Sequence, residues 1–222
     1  MAVKPPPDRL YGRVKGKALR PRQEWLLTQF LPRLSWPEVA FAGAPGETWL
    51  EVGFGGGEHA YALAQAYPEV GLIAAEVFEN GICSLLSKLA PEAVAEPMPP
   101  ANLRLFTDDA RPLIRALPDN ALTKLFLMFP DPWPKARHAK RRFVHPEVMR
   151  DVARVLCQGG EWRIASDDPT YQDWTDEVLA GQAAFTVVAR TRTRPEGWPP
   201  TRYEAKAISA GRQPVYWCLR RE

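Results

Sequence analysis

Cysteine and histidine are scarce, at three each in 222 residues. Cys83, Cys157 and Cys218 are far apart, odd in number and set in apolar sequence, which speaks against a disulfide framework and against the paired spacing of a zinc site. Packed thiols without chemistry are the expectation. His59, His138 and His145 likewise lack metal-ligand spacing, and no metal is expected. No apolar run approaches the roughly 20 residues that a membrane helix needs. The opening stretch MAVKPPPDRLYGRVKGK also lacks the apolar core of a secretory signal, so a cytoplasmic protein with no membrane partner is expected.

Apolar residues, by contrast, make up 45% of the chain, enough to bury the core of one α/β domain. The net charge of +3 is modest but unevenly spread. Residues 1–22 carry Lys4, Arg9, Arg13, Lys15, Lys17, Arg20 and Arg22 against Asp8 alone, which leaves the remainder slightly acidic. The chain therefore divides into a basic N-terminal arm, 1–22, and a single domain, 23–222. A second basic run, Lys135, Arg137, Lys140, Arg141 and Arg142, contains no acid.

Hydrophobic spacing orders the domain. Trp25, Leu26, Phe30 and Leu34 predict a helix that starts at Pro21 and ends toward Pro37. Apolar runs at 48–54, 70–77, 102–106, 123–129 and 160–166 suit buried parallel strands. Pro146 opens a helix whose apolar face is Val148, Met149, Val152, Val155 and Leu156, with Gly159 and Gly160 expected to stop it. Strands alternating with helices predict an open, mostly parallel sheet with helices on both faces. AFTVVAR and PVYWCLRR near the end read as antiparallel edge strands, and the proline-rich stretch 90–102 as a surface loop.

Two segments carry chemistry. LEVGFGGGEHAYALA, 50–64, is a strand, a glycine turn with Gly53 and Gly55, and a helix start, where backbone approaches a ligand closely and free N–H groups face it. A dinucleotide fingerprint wants glycine at position 58, which is Glu58, so a nicotinamide cofactor does not fit. Glu51 precedes the turn, Glu76 ends the second strand where it can accept hydrogen bonds from ribose, and Asp109 follows the third strand near an adenine edge. An acid-lined pocket suits a cationic sulfonium such as S-adenosylmethionine. The plainer alternative is a structural turn with a solvated Glu76. In the other segment, LFLMFPDPWPKARHAKRR, 125–142, a buried strand runs into Pro130, Asp131, Pro132 and Trp133, then into the basic run. A ligand crevice lies beyond the carboxyl ends of such strands, so Asp131 is expected to face it. Taken singly, Asp131 could cap a helix, the cations could form a solvated face, and Trp133 could serve the core as readily as a base.

These residues resemble the bacterial tRNA (guanine-N7-)-methyltransferases over nearly the whole chain. The resemblance is carried by YGR from Tyr11 to Arg13, LEVGFGGG, the acid of AAEV, PDNALTKLFLMFPDPWPKARHAKRR and RPEGWPPTRYE. VFENGICS, Ser166 and Asp168 depart from the usual pattern. The resemblance implies a class I S-adenosylmethionine-dependent methyltransferase fold, Rossmann-like, with a mostly parallel seven-stranded sheet. It implies that Glu51, Glu76, Asp109 and Asp131 contact S-adenosylmethionine, with Asp131 also catalytic, and that tRNA is the partner. Lys135, Asp167, Thr201, Arg202, Tyr203 and Glu204 are implied to bind the target, and Arg137, His138, Lys140, Arg141 and Arg142 to touch RNA. A variable-loop guanine is the expected target, with Asp131, Asp167 and Glu204 as candidate acceptors for its Watson–Crick N–H groups. Methylation of an exocyclic amine is a rival, although DPWP differs from the DPPY order of those enzymes; a non-catalytic RNA-binding protein is another. Monomer and homodimer both remain open.

Overall fold

The computed structural model describes residues 12–222, so Lys4, Arg9 and Tyr11 of the basic arm fall outside it. Its organising element is a seven-stranded sheet of order β3-β2-β1-β4-β5-β7-β6. The strands are β1 (Glu47–Val52), β2 (Val70–Ala75), β3 (Leu103–Phe106), β4 (Leu122–Met128), β5 (Leu156–Ser166), β6 (Phe185–Thr191) and β7 (Val215–Arg221). β1 to β5 are parallel, and β7 is antiparallel to both β5 and β6. Every residue of β2 is buried, as a parallel strand covered on both faces requires.

Six helices flank the sheet and a seventh, α7 (Arg202–Ser209), precedes β7. On one face lie α1 (Pro21–Trp25) with the turn Leu26–Phe30 that continues it, α2 (Glu58–Ala66) and α3 (Glu79–Leu89), packing Leu26, Phe30, Leu63, Leu85 and Leu86 against Trp49, Leu72 and Phe126. On the other lie α4 (Ala110–Ala116), α5 (Pro146–Val155) and α6 (Pro169–Ala180), packing Ile114, Val152, Tyr171 and Leu179 against Leu50, Ile73, Leu125 and Trp162. The sheet and its two helical layers match the architecture read from the sequence.

Local departures have local causes. The first helix widens into a π-helical turn at Leu26–Phe30 and tightens to 3-10 geometry at Leu31–Arg33. Pro32 cannot donate to the carbonyl four residues back, which breaks the regular ladder there. Gly159 and Gly160 do not stop α5, contrary to expectation. The helix ends when Leu156 turns extended (φ −73°, ψ 138°), and both glycines lie inside β5, where the ladder with β4 shifts register. A Cβ on Gly160 would sit 2.8 Å from the Cys157 carbonyl oxygen, so the irregular strand needs a residue without one. The two late strands do pair antiparallel, but only β6 is an edge, because β7 inserts beside β5.

Three arginines hold the 90–102 loop: Arg22 donates to the Ala90 carbonyl at 2.9 Å, Arg33 to the Pro97 carbonyl at 3.1 Å, and Arg104 ties its end to the segment before β1. Arg104, 4% exposed, donates to the carbonyls of Val39, Ala40, Pro100 and Leu103. Burial depresses its pKa, although a guanidinium keeps its charge. Arg104→Leu strips donors from these acceptors and should lower unfolding free energy by about 3 kcal/mol in urea titrations. A loss below about 0.5 kcal/mol would show that the loop is held by other contacts.

Candidate active site

All five parallel strands end on the same side of the molecule, and the turns that leave β1, β2, β3 and β4 border a cavity of about 440 Å³. Gly53, Gly55, Glu76 and Asp109 line it, with Asp131, Trp133, Arg141 and Arg142 from the β4 loop and Tyr203 from α7. Gly12 and Arg13 of the arm complete the wall. The arm is seated there by the Glu79 amide, which donates to the Val14 carbonyl at 2.9 Å, and by Asn80 Nδ2, which donates to the Lys17 carbonyl at 3.1 Å.

The glycine turn and Glu76 form one unit. Gly55 has φ +56°, and a Cβ there would lie 2.8 Å from the Tyr203 ring, so a side chain is both strained and in the way. The Gly55 amide donates to Glu76 Oε2 at 2.7 Å, while those of Val77 and Phe78 donate to Oε1 at 2.8 and 3.0 Å. A carboxylate has about four acceptor positions. Three are taken here, and the one left is on Oε2. Burial pushes the Glu76 pKa up; the three amides oppose this, and the charge of Asp131 adds to the upward shift. Gly81 of α3 closes the unit from behind, where a Cβ would fall 2.3 Å from the Gly55 carbonyl oxygen. Sequence reasoning missed Gly81, although a glycine in a helix is itself a sign of close approach.

The other acids differ in how far they are committed. Asp109 lines the cavity but caps α4, accepting from the Arg111 amide at 3.0 Å and pairing with its guanidinium at 2.5 Å. Glu51 lies off the cavity wall, 1% exposed beneath the turn, with Oε2 3.1 Å from His59 Nδ1. Their mutual approach falls outside hydrogen-bond geometry and leaves both atoms unsatisfied. His59 had no role in the sequence reading beyond excluding a metal. Asp131 is exposed at the cavity, on a loop flanked by Phe129 (φ +54°) and Trp133 (φ +44°). Such left-handed backbone costs roughly 1–3 kcal/mol per residue, so the surrounding contacts must hold it in place.

The remaining candidates are scattered around the mouth. Tyr203, 40% exposed, lies over Gly55, with Arg202 stacked on its ring at 5.4 Å. Thr201 and Glu204 form the capping box of α7. Glu204 also accepts from the Tyr216 hydroxyl at 2.6 Å and from Arg194 at 3.0 Å, which leaves it little free capacity. Burial and the Glu204 carboxylate both push the Tyr216 pKa up, so its hydroxyl stays a donor. Asp167 pairs with Arg212 Nε at 2.5 Å and, like Lys135, does not line the cavity. Lys135, Arg137 and Lys140 are exposed along a 3-10 turn, Ala136–Arg141. His138 packs edge-on against Trp133, and desolvation together with the cations Arg141, Arg137, Lys135 and Lys140 lowers its pKa. Arg141 stacks on Trp133 at 4.8 Å, whereas Arg142 is only 5% exposed.

Cavities of 300–1,000 Å³ are typical for small molecules. This one offers a partly open carboxylate on a glycine cradle, one exposed acid and an aromatic face, which fits a nucleoside bearing positive charge beside a flat base. Comparison with known proteins agrees. Residues 46–217 match a family model described as "Putative methyltransferase". A tRNA (guanine-N(7)-)-methyltransferase of Granulibacter bethesdensis is 63% identical, spanning 98% of this chain and 96% of that protein. One of Paramagnetospirillum magneticum is 46% identical, spanning 96% and 92%. The crystal structure of the 16S rRNA methyltransferase KamB superposes with a TM-score of 0.58 at 18% identity, over 79% of this chain and 88% of that one. The fold is that of class I S-adenosylmethionine-dependent methyltransferases.

The Gly81 contact makes a sharp prediction. Gly81→Ala drives a methyl group into the Gly55 carbonyl and should weaken S-adenosylmethionine binding by about tenfold in calorimetry. Gly46→Ala, with nothing within 4 Å of its added Cβ, is the control and should bind normally. Equal affinities in the two variants would contradict the cradle geometry.

Proposed function

The chain belongs to the tRNA (guanine-N(7)-)-methyltransferase family, and we propose that its target is a variable-loop guanine and that Asp131 is the residue that meets it. The enzyme transfers a methyl group from S-adenosylmethionine to N7 of a guanine in tRNA. The observation that carries the site assignment is the juxtaposition of Asp131 and Glu76 on one cavity, close enough for the charge of Asp131 to act on Glu76.

When bound, S-adenosylmethionine supplies a methyl carbon on a sulfonium: the in-plane lone pair of N7 forms the N–C bond as the C–S bond breaks, its electron pair leaving with sulfur as a neutral thioether, and N7 has no proton to lose. No general base is therefore required of this chain. Its work is to hold the two reactants in line and to accommodate the positive charge that passes to the purine, a proximity and electrostatic effect. Glu76 accepts a ribose hydroxyl at its open Oε2 position, with Gly53 and Gly55 letting backbone approach the ligand. Asp109 serves the adenine end, and Glu51 acts from below the turn. Asp131 takes an N–H of the guanine Watson–Crick edge and stabilises the charged product. Asp167 and Lys135 reach the target from the rim, where Thr201, Arg202, Tyr203 and Glu204 form the opposite side. Tyr203 and Trp133 are the stacking platforms for a base drawn from the tRNA core.

The exposed cations Arg137 and Lys140 and the arm, 1–22, bind the phosphate backbone, so affinity for tRNA falls steeply with salt. A cytoplasmic location follows from that substrate, and no described helix is long and apolar enough to cross a membrane.

Asp131→Ala should reduce labelled methyl incorporation into tRNA by at least about a hundredfold while tRNA affinity stays near wild type. Full retained turnover would remove Asp131 from the chemistry. A pH dependence tests Glu76 separately. Ribose needs the ionised carboxylate, and the Glu76 pKa lies above the usual 4.5. Affinity for S-adenosylmethionine should therefore be complete above that raised pKa and be lost as pH falls through it, starting at higher pH than an ordinary carboxylate would give. Glu76→Gln should bind more weakly and lose this dependence; an unchanged profile would place the titration elsewhere.

A further inference from the structure

We propose that Arg142 is a positioning residue that fixes the loop carrying Asp131 and does not grip RNA, although it ends a run of cations. The inference rests on the reading of Asp131 as the residue that meets the base. Its first support is burial: Arg142 is 5% exposed while Lys135, Arg137 and Lys140 of the same run are exposed. Its second is the direction of its donors. Nε donates to the Pro132 carbonyl at 3.2 Å and Nη2 to the Trp133 carbonyl at 3.0 Å. These are the two residues that follow Asp131. The guanidinium carbon also stands 5.0 Å from the centroid of the Trp174 ring on α6.

A planar guanidinium presents its donors in a fixed fork, and here the fork spans two consecutive carbonyls. One of them belongs to Trp133, whose φ of +44° is a conformation that a tryptophan rarely holds unaided. To reach a phosphate, Arg142 would have to release both carbonyls and leave its aromatic shelf.

Val144, two residues beyond Arg142, ties the same loop to α6. The Val144 amide donates to the Tyr171 hydroxyl at 3.2 Å, and the Val144 carbonyl accepts from Trp174 Nε1 at 2.6 Å. Both acceptor and donor sit on α6, which is capped by Asp168 directly after Asp167. The loop after β4 is thus braced on the helix after β5, through Val144 by hydrogen bonds and through Arg142 by its place over the Trp174 ring, while the donors of Arg142 hold the two residues that follow Asp131. The basic run has two functions: its exposed members face solvent and RNA, and its last member faces inward to the loop.

The test uses full-length enzyme and tRNA transcript, with turnover expressed per S-adenosylmethionine-binding site so that misfolded protein does not count. Arg142→Ala and Arg142→Lys should each lower kcat, the alanine variant by about a hundredfold, as a misplacement of about 1 Å does. The slope of log Kd for tRNA against log salt should stay at its wild-type value. Arg137→Glu combined with Lys140→Glu is the contrast and should flatten that slope. If either Arg142 variant flattens the slope while kcat per site holds, Arg142 is a phosphate contact and the proposal fails. If the deficit vanishes once expressed per binding site, Arg142 serves stability alone and the proposal also fails. Should Arg142→Ala not fold, Arg142→Lys decides by the same two readings. Asp131→Asn is assayed alongside. An active Asp131→Asn enzyme overturns the reading of Asp131, whereas an inactive one beside fully active Arg142 variants overturns only the role of Arg142.

Discussion

One half-buried carboxylate ties the ligand end of the sheet together. Glu76 stands at the end of β2, and its two oxygens accept the amides of Gly55, Val77 and Phe78. The glycine turn after β1 and the start of α3 are thereby held to the same side chain. Two close approaches flank it: Gly55 clears the Tyr203 ring, and Gly81 clears the Gly55 carbonyl. A charged group so placed would ordinarily be expensive to bury. Three amide donors offset the desolvation, and the open position on Oε2 leaves room for a ligand to supply the fourth.

Around this anchor the cations are sorted by depth. Arg104 and Arg142 are buried and hold backbone carbonyls, one joining the end of the 90–102 loop to Val39 and Ala40 and the other fastening the loop of Asp131. Arg194 and Arg212 pair with Glu204 and Asp167 at the rim. Arg137 and Lys140 stand in solvent. A single charge total of +3 conceals this division, because the same residue type serves packing, local pairing and recognition of a polyanion.

The sequence made the fold and the cavity legible but not the internal partnerships. Apolar runs gave the five parallel strands within a few residues, since a buried strand is an uninterrupted local signal. Gly159 and Gly160 misled because two glycines after an apolar helix face look the same whether they end a helix or relieve an irregular strand. The acids Glu76, Asp109 and Asp131 could be placed at strand ends by topology alone. What Glu204, Glu51 and Arg142 touch could not, because their partners Tyr216, His59 and Trp174 come from other elements. For Arg142 the one local hint is that Phe143 and Val144 turn the chain apolar directly after it.

The most direct measurement incubates the protein with methyl-labelled S-adenosylmethionine and unmodified tRNA transcripts, then maps the product by borohydride reduction and aniline cleavage, which breaks RNA at N7-methylguanine. Cleavage at one variable-loop guanine is the expected result. Label incorporated without cleavage, or cleavage at guanines elsewhere in the tRNA, would contradict it.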